Sequence, residues 1–422
     1  MPVRSAHCVR CRARFLTALT IALQSRTLLA QPAASEPSAA AIPEHPQPAT
    51  APEEPVAGYS PTDHFFIRSK DGNYSLSLDL QAGFKFEPVL LDGKMQNRTE
   101  FTFLRPGFSG HVYRPWLTYR IALELAHDPV YLLDAWFDVA PWEAFQVRVG
   151  QQKTPISRHE SHNYREILFP DFSVVAGYFA TGHDKGITVK GTPFGSRLEY
   201  YAGVYAGSPL RQITVIDGNY VVEARVTVSP MGAVGETEYP YVLQEQVPFR
   251  PSFSLQGYVS KVAQAPENFD PSTFSFEVGT PSSTPTKEAA GGADVLLEGG
   301  RLFFFGEGFV RRSTPGADAS GAQVAPYTSW GAWAQIGVLL YAKFIDTALR
   351  FDYLDPSVTL AHDRFIAGEA EASYYIDASR LVLRARYAHA NQASPTNAGG
   401  VVLPVSTPGT YDIFTLQLNL AL

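Results

Sequence analysis

Tyr74-Ser75-Leu76-Ser77-Leu78-Asp79-Leu80-Gln81-Ala82-Gly83-Phe84-Lys85-Phe86-Glu87 alternates almost without fault. Tyr74, Leu76, Leu78, Leu80, Ala82, Phe84 and Phe86 hold one parity and are apolar. Ser75, Ser77, Asp79, Gln81, Gly83, Lys85 and Glu87 hold the other and are polar or small. A period of two sets these groups on opposite faces of one β-strand. The run exceeds the roughly 5–6 residues of an ordinary strand. It also exceeds the roughly 9–11 that a tilted strand needs to cross a bilayer. One face would meet lipid and the other water, the pattern of a transmembrane β-barrel.

The composition agrees. The chain has 422 residues, with 33 Gly, 21 Tyr and 27 Phe but only 3 Met, and 18% of it is charged. Mean hydropathy nevertheless lies near zero, because each apolar residue of an alternating strand is balanced by a polar neighbour. A helical membrane protein would need apolar runs of about 20 residues, and the longest candidate, 15–23, is short and interrupted by Thr17 and Thr20. That stretch reads instead as the apolar part of a secretory signal over residues 1–30. Arg4, Arg10, Arg12 and Arg14 precede it, and Ala30 is a plausible cleavage position, although Leu28 is larger than the usual residue there. Cys8 and Cys11, the two cysteines, both fall inside the signal, so the mature chain would have no disulfide or thiol chemistry.

Removing residues 1–30 removes five Arg and no acid, leaving 34 − 5 = 29 basic against 41 acidic residues, a balance of −12. That argues against nucleic acid as a partner. Residues 31–60 form a Pro/Ala-rich linker containing Pro32, Pro37, Pro43, Pro46, Pro48, Pro52 and Pro55, unable to bury a core and expected in the periplasm. Residues 61–422 are assigned to the barrel.

Sixteen alternating segments follow, over 74–87, 100–112, 116–126, 130–140, 143–150, 184–191, 196–206, 219–229, 251–261, 291–298, 301–311, 329–341, 344–354, 365–376, 380–390 and 412–421. Thr273 to Val278 is a further strand candidate. Connections after even segments are mostly tight. Those after odd segments hold most of the long ones: 88–99, 151–183, 207–218, 262–290, 312–328 and 391–411. Short periplasmic turns with long outer loops are the expected asymmetry. Connections 127–129 and 230–250 break it. The expected fold is all-β, a transmembrane antiparallel barrel of about sixteen strands.

Four stretches resemble the phosphate-selective porin O and P family. The first is Phe101-Thr102-Phe103-Leu104-Arg105-Pro106-Gly107-Phe108-Ser109-Gly110, where the family's second strand usually carries two adjacent Arg and this chain has Pro106 second. The second and most specific is Asp134-Ala135-Trp136-Phe137 with Phe145-Gln146-Val147-Arg148-Val149-Gly150-Gln151-Gln152-Lys153-Thr154-Pro155, similar to a strand pair ending in Gly-Gln-x-Lys-x-Pro. The others are Ala224-Arg225-Val226-Thr227-Val228-Ser229-Pro230-Met231-Gly232 and Ala348-Leu349-Arg350-Phe351-Asp352-Tyr353-Leu354-Asp355-Pro356. The resemblance implies a sixteen-stranded trimeric outer-membrane barrel of a Gram-negative bacterium. It also implies a third outer loop, 151–183, folded into the channel.

Strand phase then names the lumen-facing cations. Lys85, Arg120, Arg148, Arg225, Arg350, Arg384 and Arg386 each oppose apolar neighbours on their own strand, and Lys153 and Arg158 lie on the third loop. Fixed cations lower the energy of a passing anion, and a guanidinium suits phosphate. The alternative is that inward Arg only hydrates the lumen, paired with Asp79, Glu124, Glu223 and Asp352. The expected function is passive diffusion of small hydrophilic solutes, favouring anions such as phosphate, with lipid around the barrel and no cofactor. Two other readings compete with this one. Ser109 and His111 share a strand face, as in a barrel hydrolase, and His159 and His162 are spaced for a metal, but neither has a third group in the sequence. A soluble β-rich binding protein would treat Tyr113, Trp116, Trp136, Trp142 and Tyr178 as core rather than as an interfacial girdle.

Overall fold

The computed structural model describes residues 56–60, 64–91, 93–127, 129–207, 218–235, 237–244, 246–262, 268–270, 275–277, 285–317, 325–341, 343–393 and 409–422. Residues 1–55, which hold the expected signal peptide and most of the expected linker, lie outside the described residues.

Sixteen antiparallel strands close on themselves. They are β1 Ser75–Leu91, β2 Lys94–His111, β3 Leu117–Glu124 and β4 Tyr131–Trp142. Then come β5 Phe145–Lys153, β6 His183–Gly191, β7 Leu198–Tyr205 and β8 Tyr220–Val228. β9 Arg250–Val262, β10 Thr286–Gly299, β11 Leu302–Thr314 and β12 Tyr327–Tyr341 follow. β13 Ile345–Asp355, β14 Phe365–Asp377, β15 Leu381–Gln392 and β16 Gly409–Ala421 complete the set. Each pairs with its sequence neighbour. The seam is β16 against β1, with Leu416 opposite Phe86 and Gln417 opposite Lys85. Alternation sets the register, because a one-residue slip would turn the polar set of β1 into lipid. Phe84, Phe86, Leu349 and Leu416 point outward and are exposed, while Lys85, Glu87, Arg350 and Gln417 point inward and are buried.

Several boundaries move. The outer connection expected at 88–99 is strand instead: β1 and β2 stay paired out to Leu91 and Lys94. The in–out alternation of the backbone continues past Glu87, in a hairpin longer than the membrane requires. The sequence pattern stops there, since Val89 is apolar on the inward parity of Lys85 and Glu87 and is buried. Residues 57–60, assigned to the linker, form a strand paired with His64–Arg68, and that strand pairs in turn with Ser75–Leu78. This hairpin covers the stretch of β1 edge that lies beyond the reach of β16. The strand suspected at 273–278 appears as Ser275–Glu277, but it pairs only with Asn268–Asp270, in a two-stranded sheet separate from the barrel sheet.

The connection 230–250, too long for a turn, enters the barrel. Tyr239, Tyr241 and Val242 are buried. They meet the connection 154–182, which also enters and buries Ile167, Leu168, Phe169, Val175, Ala176 and Phe179. Burying such a side chain fully is worth about 1.5–3 kcal/mol. The wall beneath is apolar on its inner face as well: Phe303, Phe305, Phe309 and Trp333 line it, with Phe179 stacked on Phe309 at 5.2 Å between ring centres.

Two aromatics leave the proposed girdle. Trp136 faces the lumen beneath the Arg148 guanidinium, 3.8 Å away, and Tyr178 lies on the inserted segment beneath Arg311. Tyr113, Trp116 and Trp142 remain exposed.

Candidate functional site

The lumen is shaped by how segment 154–182 is fastened. Its two helical turns, Arg158–Ser161 and Val174–Phe179, present unpaired N–H groups at their starts. Wall carboxylates receive them. Glu307 on β11 accepts from the Arg158 N–H at 2.6 Å, the His159 N–H at 3.3 Å and the Ser157 hydroxyl at 2.7 Å. Asp352 on β13 accepts from the Ser173 hydroxyl and the Val175 N–H. Wall arginines take the carbonyls. Arg225 donates to Pro155 O at 2.9 Å, Arg384 to Ile167 O at 2.6 Å, Arg350 to Asp171 O at 2.9 Å and Arg311 to Tyr178 O at 3.0 Å. Four strands thus grip the segment at successive points along its length.

This grip divides the nine expected lumen cations. Lys85, Arg225, Arg350, Arg384 and Arg386 are buried. Arg386 bridges Glu87, Asp171 and Glu369 at 3.0, 2.9 and 3.3 Å. Lys85 lies 3.4 Å from Asp171 and 3.5 Å from Glu87. Arg158 donates to Ser252 Oγ and lies 3.6 Å from Asp294.

Arg120, Arg148 and Lys153 differ. They stand on β3 and β5, which supply none of the four arginine anchors, and keep partial access to solvent. Each cation is more exposed than the acid paired with it. Side-chain exposure is 24% for Arg148 against 5% for Asp138, and 23% for Arg120 against 7% for Asp79. Lys153, at 21%, donates to His162 O and lies 3.9 Å from Glu160. The sequence reading missed two members of this row. Lys190 on β6 is 2.6 Å from Asp138, and Arg105 on β2 is 2.6 Å from Glu124. Both were visible as polar positions in phase with an apolar strand face.

The two enzyme-like pairs resolve differently. His111 bonds Ser75, not Ser109: Ser75 Oγ lies 2.8 Å from His111 Nδ1, while Nε2 meets Gly72 O at 2.9 Å. His159 and His162 do gain a third group, Glu238 from the other inserted segment, with one ligand atom from each within 4.8 Å of the others. The Ser173 N–H donates to His159 Nε2 at 3.1 Å, which assigns the ring proton to Nδ1, and Nδ1 donates to Glu238 Oε1 at 2.6 Å. A metal would need the lone pair of that same Nδ1. The set fits a hydrogen-bonded clasp and not a metal centre. Burial pushes His159 down to about 4, so it is neutral at pH 7. Burial alone would lift Glu238, but His159 beside it and the donors around it hold its carboxyl well below the usual range.

The family model for phosphate-selective porins O and P matches residues 75–257. Among curated proteins there is no match. Solved structures share the architecture at low identity. An anion-selective porin from Comamonas acidovorans aligns with TM-score 0.57 and 11% identity over 83% of this chain and 100% of its own. OmpT of Vibrio cholerae, an outer-membrane protein in its trimer form, aligns at 0.56 and 11% over 82% and 99%. The outer-membrane channel DcaP of Acinetobacter baumannii aligns at 0.52 and 10% over 84% and 99%. The family match begins at the first barrel strand and runs to the ninth, and the same sheet then continues to closure: the chain is an outer-membrane β-barrel with the porin fold, similar over residues 75–257 to the phosphate-selective porins O and P.

Proposed function

We propose that the barrel gives small hydrophilic solutes passive diffusion across the outer membrane, with a preference for anions, phosphate among them. The observation that carries the preference is the layering of charge on the wall β3–β7. Arg120, Arg148 and Lys190 face water while Asp79 and Asp138 sit behind them. A passing ion therefore meets guanidinium and ammonium first, and the acids keep those cations oriented. Guanidinium groups suit oxyanions because their parallel N–H groups match two oxygens. Lys85, Arg350, Arg384 and Arg386 belong to the grip on the inserted segment and would act on permeation only through its position. Assembly as a homotrimer is part of this reading, supported by the trimer form of the Vibrio cholerae neighbour.

Planar-bilayer recording in a salt gradient tests it. The wild-type reversal potential should report anion preference, and Arg148→Glu and Lys153→Glu should each shift it toward cations. An unchanged potential in both variants would remove these residues from the selectivity wall.

A further inference from the structure

The two inserted segments enter from opposite rims, because 154–182 follows an odd strand and 229–249 an even one. They meet inside the barrel at Glu238. Its Oε1 accepts from His159 Nδ1 at 2.6 Å, and its Oε2 accepts from the Leu168 N–H at 2.9 Å and from Gln335 Nε2 at 2.6 Å. Its own N–H donates to Glu166 O at 2.8 Å. Next in sequence, the Tyr239 hydroxyl donates to Arg165 O, and the Tyr241 hydroxyl donates to Asp346 Oδ2 at 3.0 Å. One carboxylate thus joins the first segment at two places to the barrel wall and to the second segment. Gly337 on β12 makes the approach possible. A Cβ there would lie 2.7 Å from the Tyr241 hydroxyl and 2.8 Å from Leu168 Cδ1.

The geometry points to Glu238 as the positioning residue that sets the bore of the channel. It does so from the rim opposite the constriction, by holding segment 154–182 in place through His159 and Leu168. The inference rests on the channel reading above. Glu238 is buried, and its hydrogen bonds go to His159, Leu168 and Gln335 and not to Arg120, Arg148 or Lys153, so it acts on the width of the path and not on its charge. Bore and selectivity should therefore separate. The clasp governs conductance, and Arg148 governs the reversal potential.

The test is single-channel recording of the full-length protein carrying Glu238→Ala or Glu238→Gln, with Tyr241→Phe as a milder variant that keeps the packing. Barrel closure of each is checked by the mobility of unheated protein in detergent gels. Folded Glu238 variants should show conductance raised by at least roughly twofold with added flicker, and an unchanged reversal potential. Tyr241→Phe should show the flicker with little change in conductance. Wild-type conductance and noise in folded Glu238 variants, beside a conducting wild type, would overturn this inference alone. A folded wild type and folded variants that all fail to conduct would overturn the porin reading and this inference with it.

Discussion

Arg384 and Arg148 carry the same side chain on the same face of their strands, yet they do different work. Arg148 stacks on Trp136 and reaches water. Arg384 is fully buried, with its guanidinium donating to Ile167 O at 2.6 Å and to Tyr164 O and Phe169 O at 3.4 Å. Removing Arg384 takes the donor from three carbonyls, of which those of Ile167 and Phe169 are buried. Each such loss costs about 1–3 kcal/mol, enough to free a short segment without opening the barrel. Arg384→Ala should therefore speed amide exchange across 164–172 while the strands stay protected, and Arg384→Lys should restore part of the protection. Equal protection in wild type and Arg384→Ala would remove the anchor role. Strand phase made both arginines legible as inward-facing, since lipid-facing Arg costs about 2–4 kcal/mol at mid-membrane. Their separate fates were not legible. Phase fixes a face, whereas the carbonyls that capture Arg384 belong to a segment more than two hundred residues away in sequence. Sequence separation also hid Glu238, which is 79 residues from His159 and 97 from Gln335 and lies in a connection whose only sequence signal was its excess length.

Among the elements, the strands were the most readable and the inserted segments the least. All sixteen strands occur where alternation put them, because lipid on one side and water on the other force a strict period of two. The segments obey no period. One clue was present: at Leu302-Phe303-Phe304-Phe305 both parities are apolar, so the inner face of β11 needs a dry partner, and segment 154–182 supplies it. That partner carries His159 into a site where only its neutral form is comfortable. Packed, the ring is held to about 4, against an ordinary value near 6.5. Glu238, His162, Glu307 and Arg350 are the ionisable groups facing it or felt by it. A released segment would let His159 take a proton between those two values. The packed arrangement therefore keeps its full stability above about pH 6.5 and loses it as the pH falls toward 4. The loss is about 2 kcal/mol at pH 5. Glu238, ionised when packed, adds loss of the same sign once a released carboxylate would protonate, near 4.5 and below. Lowering the pH from about 7 to about 5 should raise the frequency of open-state excursions, and His159→Phe should flatten that response. An increase of equal size in His159→Phe would assign the acid effect elsewhere.

At the scale of the whole molecule, the outer surface is what separates a membrane barrel from a soluble one of the same strand count. Leu255, Val259, Leu349, Phe351, Phe253 and Leu416 are all exposed, on strands distributed around the barrel. A water-soluble monomer rarely shows contiguous apolar area beyond a few hundred Å². Leu349 is the sharpest probe because it sits near the middle of β13, opposite Ile336 on one side and Ala370 on the other, with Arg350 next to it pointing inward. Leu349→Arg would bury nothing and break no hydrogen bond of the wall. In water such an exposed substitution should change stability by no more than a few tenths of a kcal/mol. In a bilayer it places a guanidinium in hydrocarbon, at about 2–4 kcal/mol. Urea titration of the barrel folded into lipid vesicles should show that loss for Leu349→Arg. Arginine placed near the strand end, as Ile345→Arg, should cost much less because the head group reaches the interface. A Leu349→Arg barrel as stable as wild type in vesicles would mean that this face does not meet lipid, and the transmembrane assignment of the sheet would fall with it.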